Sequence, residues 1–152
     1  SARVDYAMRA LVELAATATE EPQRLVKAEA LADRQNVPPK FLEGILTQLR
    51  RGGFVFSQRG SDGGYRLARP AEPITVADVI RAPAGPPAAV RGEPPEDTEY
   101  AGPAGHLRDV WVATRASMRA VLEQVSLADI ADGHLPKGPA TLLDQPGAWE
   151  RR

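Results

Sequence analysis

Three observations predict a mainly α fold with a small β-wing: a winged helix-turn-helix domain followed by a long C-terminal helix. Within 38–51, Leu42, Ile45, Leu46 and Leu49 recur at i, i+3, i+4 and i+7, placing one apolar stripe along a helix. Gly52-Gly53 then stops that helix, and two short β-prone runs, Phe54-Val55-Phe56-Ser57 and Tyr65-Arg66-Leu67, flank the turn Arg59-Gly60-Ser61-Asp62-Gly63-Gly64. Far downstream, Leu107, Val110, Trp111, Thr114, Met118, Val121, Leu122 and Val125 keep helical spacing over about five turns.

The composition sets the limits of this reading. A chain of 152 residues allows one medium domain, or a small domain with an oligomerisation arm. Hydrophobic content of 43% supports a core, and aromatic content of 5% makes that core aliphatic. The sequence contains no Cys, which excludes disulfides and thiolate metal sites. No signal peptide or membrane-length apolar run is present, so a cytoplasmic protein is expected.

In chain order, Ala7, Ala10, Leu11, Leu14, Ala15 and Ala18 predict a first helix over 3–18 with a small-residue face for close packing. A second helix over 27–35 buries Ala28, Leu31 and Ala32. Asn36 follows it, one of the few residues other than Gly that tolerate the left-handed turn of a helix-turn-helix. In the third helix, Pro38 and Pro39 suit a first turn that needs no backbone donors.

The free face of the third helix carries Lys40, Glu43, Thr47, Gln48 and Arg51, side chains that reach base edges or phosphates. Between Pro38 and Arg69, six basic residues (Lys40, Arg50, Arg51, Arg59, Arg66, Arg69) stand against Glu43 and Asp62, a local excess of four on a chain of net charge −1. By charge alone, a solvated basic face on a structural hairpin is an equal alternative. A nucleotide-binding loop is not: the glycines lie between strands, and no helix opens after them.

Asp5-Tyr6-Ala7-Met8-Arg9-Ala10-Leu11, Leu31-Ala32, Phe41-Leu42-Glu43-Gly44-Ile45-Leu46, Leu49-Arg50 and Arg59-Gly60-x-x-Gly63-Gly64-Tyr65-x-Leu67 together resemble the Rrf-two family of bacterial transcription regulators. The resemblance continues through Ile74–Ile80 and Val125–Ile130. It implies a homodimeric repressor or activator that binds double-stranded DNA at an imperfect palindrome, with the third helix in the major groove and Arg59 in the minor groove. The DNA-binding set is then Lys40, Phe41, Glu43, Thr47, Gln48, Arg50 and Arg51 of the helix, with Arg59, Gly60, Ser61, Arg66 and Arg69 of the wing. Glu43 would accept from cytosine; its alternative is a surface ion pair with Lys40 or Arg50. The resemblance also implies a short Met-basic-apolar lead before Ser1, so the numbering is expected to trail that of the natural product by a few residues.

Thr75 is expected to cap a short helix over 76–81. Six Pro and four Gly then fall within 83–105, together with Glu93, Glu96, Asp97 and Glu99, and predict a flexible loop. Cluster-bearing members of the resembled family hold an iron-sulfur cluster there through three cysteines, all missing here, so no cofactor and no metal site are expected. Asp5 and His106 fall near family ligand positions, but two such donors do not replace the four cluster ligands that the resemblance implies, three loop cysteines and one from elsewhere.

The stripe from Leu107 to Val125 exceeds what a small winged-helix core covers, and so reads as a dimer interface. Trp111 could instead line a ligand pocket with Tyr100. Ser126-Leu127-Ala128-Asp129 has capping-box spacing. The expected organisation is a DNA-binding domain over 1–82, the loop over 83–105, a dimerisation helix with a short following helix over 106–131, and a mobile tail over 132–152. Only His106 and His134 are available as histidines and no nucleophile sits beside a base, so no catalytic residue is assigned. The rival from another class is a winged-helix adaptor that binds protein rather than DNA. An unknown small-molecule effector remains open as a further partner.

Overall fold

The computed structural model describes residues 2–84 and 93–151. Its elements are α1 (Ala2–Glu20), α2 (Ala28–Gln35), α3 (Pro39–Arg51), β1 (Val55–Gln58), β2 (Gly64–Leu67), α4 (Val76–Ala84), α5 (Leu107–Leu122), α6 (Leu127–Asp132) and α7 (Lys137–Leu143).

Helix α1 is the centre of the domain because its small face lets neighbours approach closely. Ala7, Ala10, Leu11, Leu14 and Ala15 are buried along it, against Leu31 and Ala32 of α2, the α3 stripe Leu42, Ile45, Leu46 and Leu49, and Leu127 of α6. Asn36 ends α2 in the left-handed region at φ 50°, and the Val37 N–H then closes onto Ala32 O at 2.9 Å. This turn aims α3 outward while its apolar stripe remains in the core.

β1 and β2 pair antiparallel, with Val55 opposite Leu67 and Gln58 opposite Gly64. A third segment completes the wing: Val26 and Tyr65 exchange both backbone hydrogen bonds at 2.8 Å. Gly64 makes this approach possible, since a Cβ there would stand 2.7 Å from Val26 O.

Thr75 caps α4, and does so reciprocally: its Oγ1 accepts from Asp78 N–H at 3.2 Å, while its own N–H donates to Asp78 Oδ2 at 3.0 Å. Ser126 and Asp129 repeat the box at 3.0 and 2.8 Å. The two boxes lie side by side, because Thr75 and Ser126 form an antiparallel bridge. That bridge ties the segment after α5 back onto the winged domain.

Three expectations need revision. First, the described part of the 83–105 segment is not featureless. It forms 3-10 turns at Pro95–Asp97 and Gly102–His106, and Pro95 and Thr98 are buried. Residues 85–92 of the expected loop lie outside the described residues. Second, the 132–152 stretch contains α7, which was not expected. Seven residues are too few to display a period, and Pro139 falls in the first helical turn, where its missing N–H costs no intrahelical bond. Third, Val125 belongs to the core: its side chain is only 6% exposed and its carbonyl accepts from Val76 N–H. It is therefore not on the free face of the long helix.

Candidate nucleic-acid interface

Because Leu42, Ile45, Leu46 and Leu49 face the core, α3 leaves its opposite side in solvent. Lys40, Phe41, Glu43, Gln48, Arg50 and Arg51 are exposed there, Phe41 to 64%. Thr47 is half-buried, and its hydroxyl donates back to Glu43 O at 2.9 Å. Glu43 makes no ion pair among the described residues, so the expected alternative of a bridge to Lys40 or Arg50 is not formed.

Arg59, Gly60, Ser61 and Asp62 are exposed at the wing tip, where Gly60 adopts φ 103°. Of the five predicted wing residues, Arg66 and Arg69 are partly engaged within the fold. Arg66 stacks 4.3 Å over the Phe56 ring and donates to Leu67 O, and Arg69 stacks 5.0 Å from the Phe54 ring centre. Arg59 has no such internal role among the described residues.

Two cations at this surface were not singled out from sequence. Lys27 Nζ donates to Ser61 O at 2.5 Å and so ties the wing tip to the start of α2. Arg3 Nε donates to Gln48 Oε1 at 2.9 Å, across 45 residues of sequence. No periodicity relates either pair; only the packing of α1 and α2 beside α3 and the wing brings them together.

The long helix presents a second surface. None of the residues of α5 is buried. Leu107, Val110, Thr114 and Met118 are exposed, and Trp111, Val121 and Leu122 are half-buried. Trp111 Nε1 donates to the Tyr100 hydroxyl at 3.1 Å, joining the two aromatics considered for a pocket. Arg115 is ion-paired with Glu96. Glu96 is held below its ordinary value of 4.5, first by its own backbone N–H and then by the Arg115 guanidinium.

Comparison with known proteins agrees with this geometry. The family described as Rrf2, iron-dependent transcriptional regulator, matches residues 1–133. A helix-turn-helix transcriptional regulator of Mycobacterium tuberculosis is 49% identical over 150 residues, covering 99% of this chain and 91% of that protein. The solved structure of CymR, the global cysteine regulator of B. subtilis, superposes with a TM-score of 0.73 at 30% identity, over 88% of this chain and 95% of that one. IscR of T. potens gives 0.69 at 28% identity, over 88% and 85%.

The donor set of this chain does not fit an iron-sulfur cluster. The sequence has no Cys, and among the described residues no three His, Asp or Glu gather as a metal site. Asp5 is ion-paired with Arg9 at 2.7 Å, and the exposed His106 lies 3.6 Å from Asp109. No helix of the described residues is long and apolar enough to cross a membrane. The matched relatives are regulators rather than enzymes, and this mainly helical chain with its two-stranded wing belongs to the Rrf2 family of DNA-binding helix-turn-helix transcriptional regulators.

Proposed function

We propose that the protein acts as a homodimer on an imperfect palindrome, each subunit placing α3 in a major groove and Arg59 in the adjacent minor groove. The observation that carries this reading is the contrast between the two sides of α3. Four buried aliphatics fix the helix to the core, while Lys40, Glu43 and Arg51 stand exposed, with Gln48 held by Arg3, beside a wing whose Arg59 has no internal partner among the described residues. Two such helices about 34 Å apart would meet successive major grooves. A narrow minor groove concentrates negative potential and attracts a lone arginine on a glycine turn. Lys40, Arg50 and Arg51 supply phosphate contacts, with lesser shares from Arg66 and Arg69, whose guanidiniums already stack on rings.

The apolar residues of α5 supply the dimer contact, with Leu107, Val110 and Met118 foremost because they are the exposed members of the stripe. The Trp111–Tyr100 pair beneath it is where a small effector would be felt, since it joins α5 to the segment before it.

Selection from a random duplex pool tests the reading. The wild-type protein should enrich a palindrome, and Arg59→Ala should weaken binding to it about tenfold or more, with a shallower salt dependence. A folded, dimeric protein that enriches no sequence would favour the adaptor alternative, in which the exposed Phe41 anchors a protein partner.

A further inference from the structure

The contact between Arg3 and Gln48 has a chemical consequence for base reading. A guanidinium carries only donors, so the amide atom that faces it is the oxygen, and the Gln48 NH2 is turned away toward solvent. An unrestrained glutamine suits adenine, accepting from N6 through its oxygen while donating to N7. With its oxygen directed to Arg3, Gln48 presents donors outward instead.

Gly44 leaves room for this arrangement. A Cβ at residue 44 would have Arg3 Nη2 as its nearest neighbour, at 3.9 Å, so the guanidinium lies over this position of the helix. Arg3 is exposed, and among the described residues it forms no ion pair, unlike its α1 neighbour Arg9, which is held by Asp5. The remaining N–H groups of Arg3 therefore stand beside the Gln48 amide on the exposed side of α3. Two side chains from distant parts of the sequence thus form a single cluster of donors.

We infer that Arg3 is a specificity-determining residue, acting with Gln48 as a donor-only unit that selects an acceptor-rich base edge, guanine O6 and N7, at one position of each half-site. The inference rests on the major-groove placement of α3 proposed above. It assigns Arg3 a role distinct from that of a phosphate-binding cation, because a phosphate contact carries no base preference.

The test measures affinities for the selected operator and its single-base variants at two salt concentrations, for wild type, Arg3→Ala, Gln48→Ala and the double variant. Both side chains are exposed, and circular dichroism checks that the variants are folded. Wild type should prefer guanine to adenine at one position by about tenfold or more. Arg3→Ala should shift that one position toward adenine and leave the others unchanged. Gln48→Ala should abolish the preference, and the double variant should bind no worse than Gln48→Ala alone. A uniform loss across all operators, with the salt slope lowered by about one, would make Arg3 a phosphate contact and overturn the inference. An unchanged base preference in Arg3→Ala would overturn it as well. A wild-type protein that enriches no motif would remove the DNA reading itself, a result distinct from a motif that survives the loss of Arg3.

Discussion

Gly63 and Gly64 show how much of the wing depends on single residues. A Cβ on Gly63 would lie 2.1 Å from Gln58 O, and one on Gly64 would lie 2.7 Å from Val26 O at φ 155°. Both obstacles are backbone atoms, so neither can be relieved by a rotamer change. Gly63→Ala is therefore expected to destabilise the fold by about 1–3 kcal/mol, as overpacked sites do. It should also weaken operator binding by displacing Arg59, and urea unfolding together with DNA titration would check both effects. Wild-type stability and affinity in this variant would show that the tip repacks freely. Lys27 acts on the same turn from outside, holding the Ser61 carbonyl. The glycine pattern of the wing is visible in the sequence as a turn. The reason that Gly64 is needed is not visible there, because the clash is with Val26, far away in the chain.

At the scale of elements, the paired capping boxes join the two halves of the chain. Thr75 starts α4 and Ser126 starts α6, and the backbone bridge between them makes the two helix starts neighbours. Ser126→Ala should cost about 1 kcal/mol, typical of a lost N-cap. Thr75→Ala should cost a similar amount, and the double variant should depart from additivity by about 0.5 kcal/mol or more because the sites touch. Denaturant unfolding of the two single variants and the double variant measures this; strict additivity would mean that the bridge does not couple the caps. Arg81 adds a side-chain tie across the same junction, reaching Glu123 at 2.5 Å. The Ser/Thr-x-x-Asp spacing marks both boxes in the sequence, Ser126-x-x-Asp129 and Thr75-x-x-Asp78, whereas the bridge that sets them side by side became evident only in the fold.

For the whole molecule, α5 is the element that the protomer does not cover. Its length of about 24 Å follows from its residue count. A helix with no buried residue gains little from the fold it is attached to. A second copy crossing this face would bury Leu107, Val110 and Met118 together. Val110→Asp combined with Met118→Asp is expected to convert the protein to monomers at micromolar concentration, as read by sedimentation velocity. Operator affinity should fall at the same time, because one half-site remains per particle. Unchanged sedimentation would move the interface elsewhere, the exposed Leu142, Leu143 and Trp149 at and beyond α7 being the next apolar surface.

The helices of the winged domain, the hairpin, the left-handed turn at Asn36 and the apolar stripe of α5 were all determined by the sequence itself. Helical periodicity, β-alternation and turn chemistry are local, and each is complete within about two turns or one hairpin. Four things were decided only by tertiary structure: the burial of Val125, the stacking of Arg66 and Arg69 on Phe56 and Phe54, the Lys27 tether and the Arg3–Gln48 contact. Each depends on how closely and at what angle separate elements pack. A heptad-like pattern states which face of a helix is apolar, but not which side chain from another element will lie across the polar one. The composition of the DNA-facing surface was therefore legible residue by residue along α3 and the wing. Its contributions from α1 and α2 had to wait for the small alanine face of α1 to bring those helices alongside.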